Sequence, residues 1–186
     1  MVKDYIRFIP NALSSGRILL ALYFPFSPEN FWLPLVLISG FSDVLDGWIA
    51  RRYQVQSWQG SILDGIGDKL FVLCVLITFA AAGKISAWWL PLLLARDLVV
   101  AYTAAYAVSI RSWESFQKME HRISGKLATV GQFLLFLTVL LFPAGIYPAL
   151  GCAVLFSVTA AVDYGRLFLL EQRLRAKELE SDKNKG

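Results

Sequence analysis

Asp43, Asp46, Asp64 and Asp68 are the residues of this sequence whose type and spacing point to chemistry. Asp43 and Asp46 are three apart, and Asp64 and Asp68 four apart, so each pair falls on one face of a helix. The segment between them, Arg51 to Gln59, is polar and long enough for the chain to turn back. Two helix ends can then bring the four carboxylates together. Crowded carboxylates repel, and some take up protons unless cations hold them. Hard oxygen ligands with no His or Cys nearby suit Mg²⁺, Mn²⁺ or Ca²⁺ rather than zinc. Gly47 and Ala50 lie on the same side as the first pair and leave room for a bulky ligand to press on the backbone. Arg51 offers a fork for phosphate oxygens. Gly60 opens the second helix, whose N-terminal amides can also face an anion. Carboxylates, small residues, an arginine and a helix start together describe a diphosphate site.

The elements that position these residues are apolar. The chain has 186 residues, of which 56% are hydrophobic and only 17% charged. Several apolar runs reach the roughly 20 residues needed to span a bilayer. The expected class is an all-α integral membrane protein. Six transmembrane helices are expected, over about 12–27, 31–50, 60–82, 86–109, 123–142 and 147–169. Residues 2–10 mix charge with apolar bulk and read as an N-terminal surface helix before a turn near Pro10 and Asn11. Gly83 and Lys84 form another turn. Residues 1–170 read as a single membrane domain and 171–186 as a charged tail. Trp32, Trp58, Trp88, Trp89 and Trp113 flank spans, as interface belts do. Cys74 and Cys152 lie in apolar runs and read as two separate buried thiols.

Charge placement orients the chain. Lys and Arg gather on the cytoplasmic side of a membrane. Lys3 and Arg7, then Arg51 and Arg52, then Arg111, Lys118 and Arg122, then Arg173, Arg175, Lys177, Lys183 and Lys185 fall on one side, and only Lys84 falls on the other. Both termini are therefore expected in the cytoplasm of a cell (plasma or inner) membrane, with the aspartates opening to that side. At 1.5 Å per residue the deepest carboxylates, Asp43 and Asp68, lie about 10–12 Å below the helix ends, a depth that suits a lipid-tailed substrate with a soluble head. The net charge of +4 is modest and gives no reason to expect nucleic acid.

The stretch from Asp43 to Asp68 resembles the signature of the CDP-alcohol phosphotransferase family, D-x2-D-G-x2-A-R-x8-G-x3-D-x3-D. All eight fixed positions match: Asp43, Asp46, Gly47, Ala50, Arg51, Gly60, Asp64 and Asp68. A chance match at a given start is on the order of 10⁻¹⁰ from ordinary residue usage. Asn11, Ser14 and Arg17 recur every third residue and resemble the family's N-x2-[ST]-x2-R element, which is associated there with the nucleotide pocket. Gly125-Lys126-x2-Thr129-x2-Gln132 resembles a segment of the phosphatidylglycerophosphate synthase branch. Arg122, Lys126 and Thr129 share one helix face and suit an acceptor that carries a phosphate.

The resemblance implies transfer of a phosphatidyl group from CDP-diacylglycerol to a small alcohol, with release of CMP. Two divalent cations, Mg²⁺ or Mn²⁺, would be held by Asp43, Asp46, Asp64 and Asp68, with Asp68 also the general base. Asn11, Arg17, Gly47, Ala50, Arg51 and Gly60 would hold the CDP portion, and Arg122, Lys126 and Thr129 the acceptor. Glycerol 3-phosphate is the first choice of acceptor. Gly65-Ile66-Gly67 stands where that branch carries Pro and Ala, so phosphatidylglycerol, inositol phosphate and serine stay open. The family commonly forms homodimers. Two readings from other classes are a cation transporter with an acidic relay and a polyprenyl-group transferase. Arg96 and Asp97, midway in the fourth span, read either as a structural pair or as partners of the motif.

Overall fold

The computed structural model describes residues 2–53, 58–109 and 123–183. Among the described residues it is all-helical. The elements are α1 (Val2–Tyr23), a 3₁₀ turn (Phe24–Phe26), α2 (Glu29–Tyr53), α3 (Trp58–Ala81), a second 3₁₀ turn (Ala87–Trp89), α4 (Leu90–Leu93), α5 (Ala95–Ser109), α6 (Ile123–Leu141), a third 3₁₀ turn (Pro143–Gly145) and α7 (Ile146–Lys183). Three stretches, Glu29–Ile49, Ser124–Leu141 and Pro143–Leu170, are long and apolar enough to cross a membrane, and Ala12–Phe26 is a shorter apolar one. The chain divides into two compact units, residues 1–90 with 135–146, and residues 91–134 with 147–186.

In the first unit, α1 packs along both α2 and α3. Small residues set how close it comes. A Cβ on Gly67 would lie 3.3 Å from the Ser14 carbonyl oxygen, so any side chain there would press α1 and α3 apart by a few tenths of an ångström. The end of the unit away from the aspartates is closed by aromatic rings. Phe24 stacks on Trp32 at 5.9 Å, and Phe79 lies 5.7 Å from Trp32 and 5.9 Å from Phe136. Trp32, expected in an interface belt, is buried here, and its indole N–H donates to the Ser27 carbonyl at 3.0 Å. An indole needs both an apolar bed and an acceptor, and this cluster supplies both. Trp88 is exposed. The turn at Gly83 and Lys84 forms as expected. Gly83 has φ +70°, its N–H donates to Ala80 O at 3.0 Å, and Lys84 N–H donates to Phe79 O at 2.9 Å. That is a Schellman stop, which favours glycine at the left-handed position. Lys84 Nζ then pairs with Glu29 at 3.1 Å.

The second unit is built on close helix contact. Ala128, Ala160 and Tyr164 form its core, with Val99, Val100, Phe156 and Leu167 against it. A Cβ on Gly131 would meet Phe156 at 2.9 Å, and one on Gly125 would meet the Tyr164 hydroxyl at 2.5 Å. Small residues of this kind let apolar helices gain van der Waals contact where no water-driven force acts.

Two local expectations change. Val2–Tyr23 is a single helix, so the turn near Pro10 and a separate surface helix are absent. Proline withholds one amide donor but holds a helical φ, so a helix can continue through it. The fourth span is not continuous, because it breaks between Leu93 and Ala95. The carbonyl of Leu93 accepts instead from Gln132 Nε2 and from Ser157 Oγ, both at 2.7 Å. Side chains that satisfy the freed backbone make such a break tolerable in an apolar setting. The helix α7 includes the charged residues up to Lys183.

Gly65 and Gly67 form a matched pair for testing the α1–α3 contact, since a Cβ at Gly65 meets nothing within 4 Å. Gly67→Ala is expected to cost about 1–3 kcal/mol through overpacking. It should lower the thermal midpoint of the purified protein in detergent, while Gly65→Ala should leave it unchanged or slightly raised.

Candidate active site

The site belongs to the first unit and draws on three helices. α2 carries Asp43 and Asp46 on one face, α3 carries Asp64 and Asp68 on one face, and α1 supplies Ser14 and Arg17. The i, i+3 and i, i+4 spacings do what they promise, turning each pair of carboxylates the same way. Oxygens of Asp43, Asp64 and Asp68 come within 4.8 Å of one another, close enough to share a cation.

Arg17 sits among them. Its side chain is 1% exposed. Nη2 pairs with Asp46 Oδ2 at 2.7 Å. Nη1 lies 2.8 Å from Asp64 Oδ1 and 3.4 Å from Asp43 Oδ1, and it also pairs with Asp68. Ser14 Oγ donates to Asp64 Oδ1 at 3.4 Å. Asp46 is 4% exposed, whereas Asp43, Asp64 and Asp68 are 36–43% exposed. The four aspartates are therefore not equivalent. Asp46 is committed to Arg17 in the interior, and the other three keep an open side toward a ligand.

This donor set fits a divalent cation. Its ligating atoms are carboxylate oxygens, the atoms hard cations take. A positive group already stands among them. Arg17 alone balances one of four carboxylate charges. The remainder favours further cations, since several carboxylates in one place are costly without them.

The other expected site residues fall as follows. Gly47 lies in α2, half-buried. Asn11, Ala50, Arg51 and Gly60 lie on described helices, but their side-chain surroundings are outside the described residues, as is Arg122 altogether. In the second unit, Lys126 is exposed on α6. Thr129 is tied to Arg96, whose Nη1 donates to Thr129 Oγ1 at 2.6 Å and to the Gly125 carbonyl at 2.5 Å. Arg96 Nη2 also pairs with Asp97 at 2.6 Å. Of the two readings of Arg96, the structural pair is the one found. Ser124 Oγ donates to Asp163 Oδ2 at 2.8 Å.

Reasoning from sequence placed Arg17 beside a nucleotide and missed its hold on all four aspartates. The available signal was its three-residue register with Ser14, both facing inward in the apolar stretch Ala12–Phe26. A buried arginine in such a helix requires acid partners, and the motif holds the nearest set.

Comparison with known proteins agrees with this geometry. A family model described as CDP-alcohol phosphatidyltransferase matches residues 7–162. The chain is 28% identical over 162 residues to the CDP-diacylglycerol–glycerol-3-phosphate 3-phosphatidyltransferase of Sodalis glossinidius, covering 80% of this chain and 81% of that protein. It is 26% identical over 179 residues to the protein of the same name from Pectobacterium atrosepticum, covering 86% and 91%. It is 36% identical over 107 residues to the cardiolipin synthase (CMP-forming) of Streptomyces coelicolor, covering 52% and 50%. No solved structure matches significantly. The family match runs from α1 into α7 and takes in both aspartate pairs and Arg17, and the chain therefore belongs to the CDP-alcohol phosphatidyltransferase family of transferases.

Proposed function

We propose that the protein transfers a phosphatidyl group from CDP-diacylglycerol to glycerol 3-phosphate, giving phosphatidylglycerophosphate and CMP. The observation that carries this reading is the convergence of Asp43, Asp64 and Asp68 beside a buried arginine, in a chain whose long relatives are named for that reaction. The acceptor hydroxyl oxygen attacks the phosphorus that bears the diacylglycerol, and the bond from that phosphorus to the CMP oxygen breaks. Asp68, open on one side, receives the hydroxyl proton. Asp43, Asp46, Asp64 and Asp68 would hold two divalent cations, Mg²⁺ or Mn²⁺. Such ions supply charge neutralisation at the diphosphate and at the leaving oxygen. Gly47, Ala50, Arg51 and Gly60, with Asn11 and Arg17, hold the CDP portion. Arg122, Lys126 and Thr129 receive the acceptor's phosphate, with Arg96 fixing Thr129.

The same reading takes residues 1–170 as one membrane domain with six spans and 171–186 as its charged tail. Both termini are cytoplasmic, in the plasma or inner membrane of the cell, and the active form is a homodimer. The excess of Lys and Arg on one side supports this orientation. A cation-transport role is disfavoured by Arg17, a positive charge in the middle of the carboxylates.

Two measurements check this. Purified protein with Mg²⁺ and CDP-diacylglycerol should release CMP with glycerol 3-phosphate, but not with phosphatidylglycerol, inositol phosphate or serine. Asp68→Asn should lower that rate by about 10²–10⁴-fold, the span of a lost general base. CMP release with a different alcohol alone would replace the acceptor. An undiminished rate in Asp68→Asn would remove the base. Separately, excess chelator should abolish CMP release and added Mg²⁺ or Mn²⁺ should restore it. Full activity in chelator would remove the cations from the mechanism.

A further inference from the structure

Arg17 is placed oddly for a residue that only binds phosphate. A guanidinium waiting for an anion presents an open fork. Here both terminal nitrogens are taken by carboxylates, Nη1 by Asp43, Asp64 and Asp68 and Nη2 by Asp46. The third donor, Nε, is buried and has no hydrogen-bond partner. A buried N–H left unmade is costly, so this pose does not satisfy the guanidinium as a whole. It satisfies the carboxylates. The three aspartates on Nη1 are also the three whose oxygens converge within 4.8 Å. Nη1 lies against the Oδ1 atom of each of these three aspartates, so a divalent cation that takes those oxygens displaces it.

We propose that Arg17 is a resident counter-cation that competes with the divalent cation for Asp43, Asp64 and Asp68, an inference that rests on the cation reading above. Cation entry and withdrawal of Nη1 are then a single exchange. Before it, Arg17 ties α1 to α2 and α3 and keeps the carboxylates from repelling one another. After it, Nη1 and the unpartnered Nε become donors for a phosphate, so anion binding through Arg17 follows cation binding. The exchange also sets affinity. When only a fraction of molecules has the ligands free, the apparent dissociation constant rises by the inverse of that fraction. Removing Arg17 should therefore weaken the cation-free protein and tighten its hold on the cation. A purely structural arginine would lower stability with no gain in cation affinity, and a purely phosphate-binding one would change neither.

Full-length protein in detergent, without lipid substrate, is titrated with Mn²⁺ and read by the loss of the free-ion signal in electron paramagnetic resonance. Its thermal midpoint is measured in chelator. Arg17→Gln is expected to bind Mn²⁺ on the order of tenfold more tightly than the parent, as for a ligand set that the arginine occupies nine-tenths of the time. It should also melt at a lower temperature in chelator. Arg17→Lys keeps a charge but loses the two-nitrogen fork, and it should show a smaller gain in affinity. If Arg17→Gln does not fold, Arg17→Lys decides alone. Unchanged or weaker Mn²⁺ binding by a folded variant, with the parent binding normally, overturns the competition and leaves the cation reading intact. Absence of Mn²⁺ binding by parent and variants alike overturns both.

Discussion

Charge compensation in an apolar setting is the constraint on which the first unit depends. Four carboxylates stand on two helices, and a single buried guanidinium on a third reaches all of them. Burying a charge without partners is prohibitive, and burying it with partners ties those partners together. α1 is therefore fixed against α2 and α3 by electrostatics as well as by packing. Ser14 adds a hydrogen bond to Asp64, and Gly67 gives up its side chain so that the helices can close to this distance. Asp46 is drawn inside, which leaves Asp43, Asp64 and Asp68 as the accessible oxygens. One ion-pair network thus sorts the motif into an anchoring member and three open members.

The second unit answers a related problem for the backbone. A helix interrupted in apolar surroundings exposes a carbonyl that water cannot satisfy. At Leu93 that carbonyl is taken by Gln132 and Ser157, and Arg96 secures Gly125 and Thr129 on α6. Polar side chains that look scattered in an apolar sequence are in fact partners of one another or of the main chain. Gly125, Ala128 and Gly131 provide the closeness those bonds need.

Much of this was legible from residue types. The aspartate spacings implied two faces, and the helices present them. Gly83 implied a stop, and a Schellman turn stands there with positive φ. The apolar runs implied membrane helices, and three described stretches qualify outright. α3 does not, because Asp64, Asp68 and Lys69 interrupt its apolar composition, and the two aspartates belong to the site. Other features were not legible. Pro10 reads as a break but lies within α1, and Trp32 reads as interfacial but is packed under Phe24 and Phe79. Local propensity is a weak guide where tertiary contacts supply larger energies.

The sequence by itself determined the family, the two carboxylate pairs and the helical class. These depend on residue identity at short fixed offsets, which helical periodicity converts directly into shared faces. Tertiary structure alone decided which aspartate is buried, where Arg17 points, and which carbonyl Gln132 and Ser157 satisfy. Those are contacts between residues 29 to 64 positions apart. No local periodicity encodes them, because they arise only when helices pack and every buried charge and freed backbone group must find a partner.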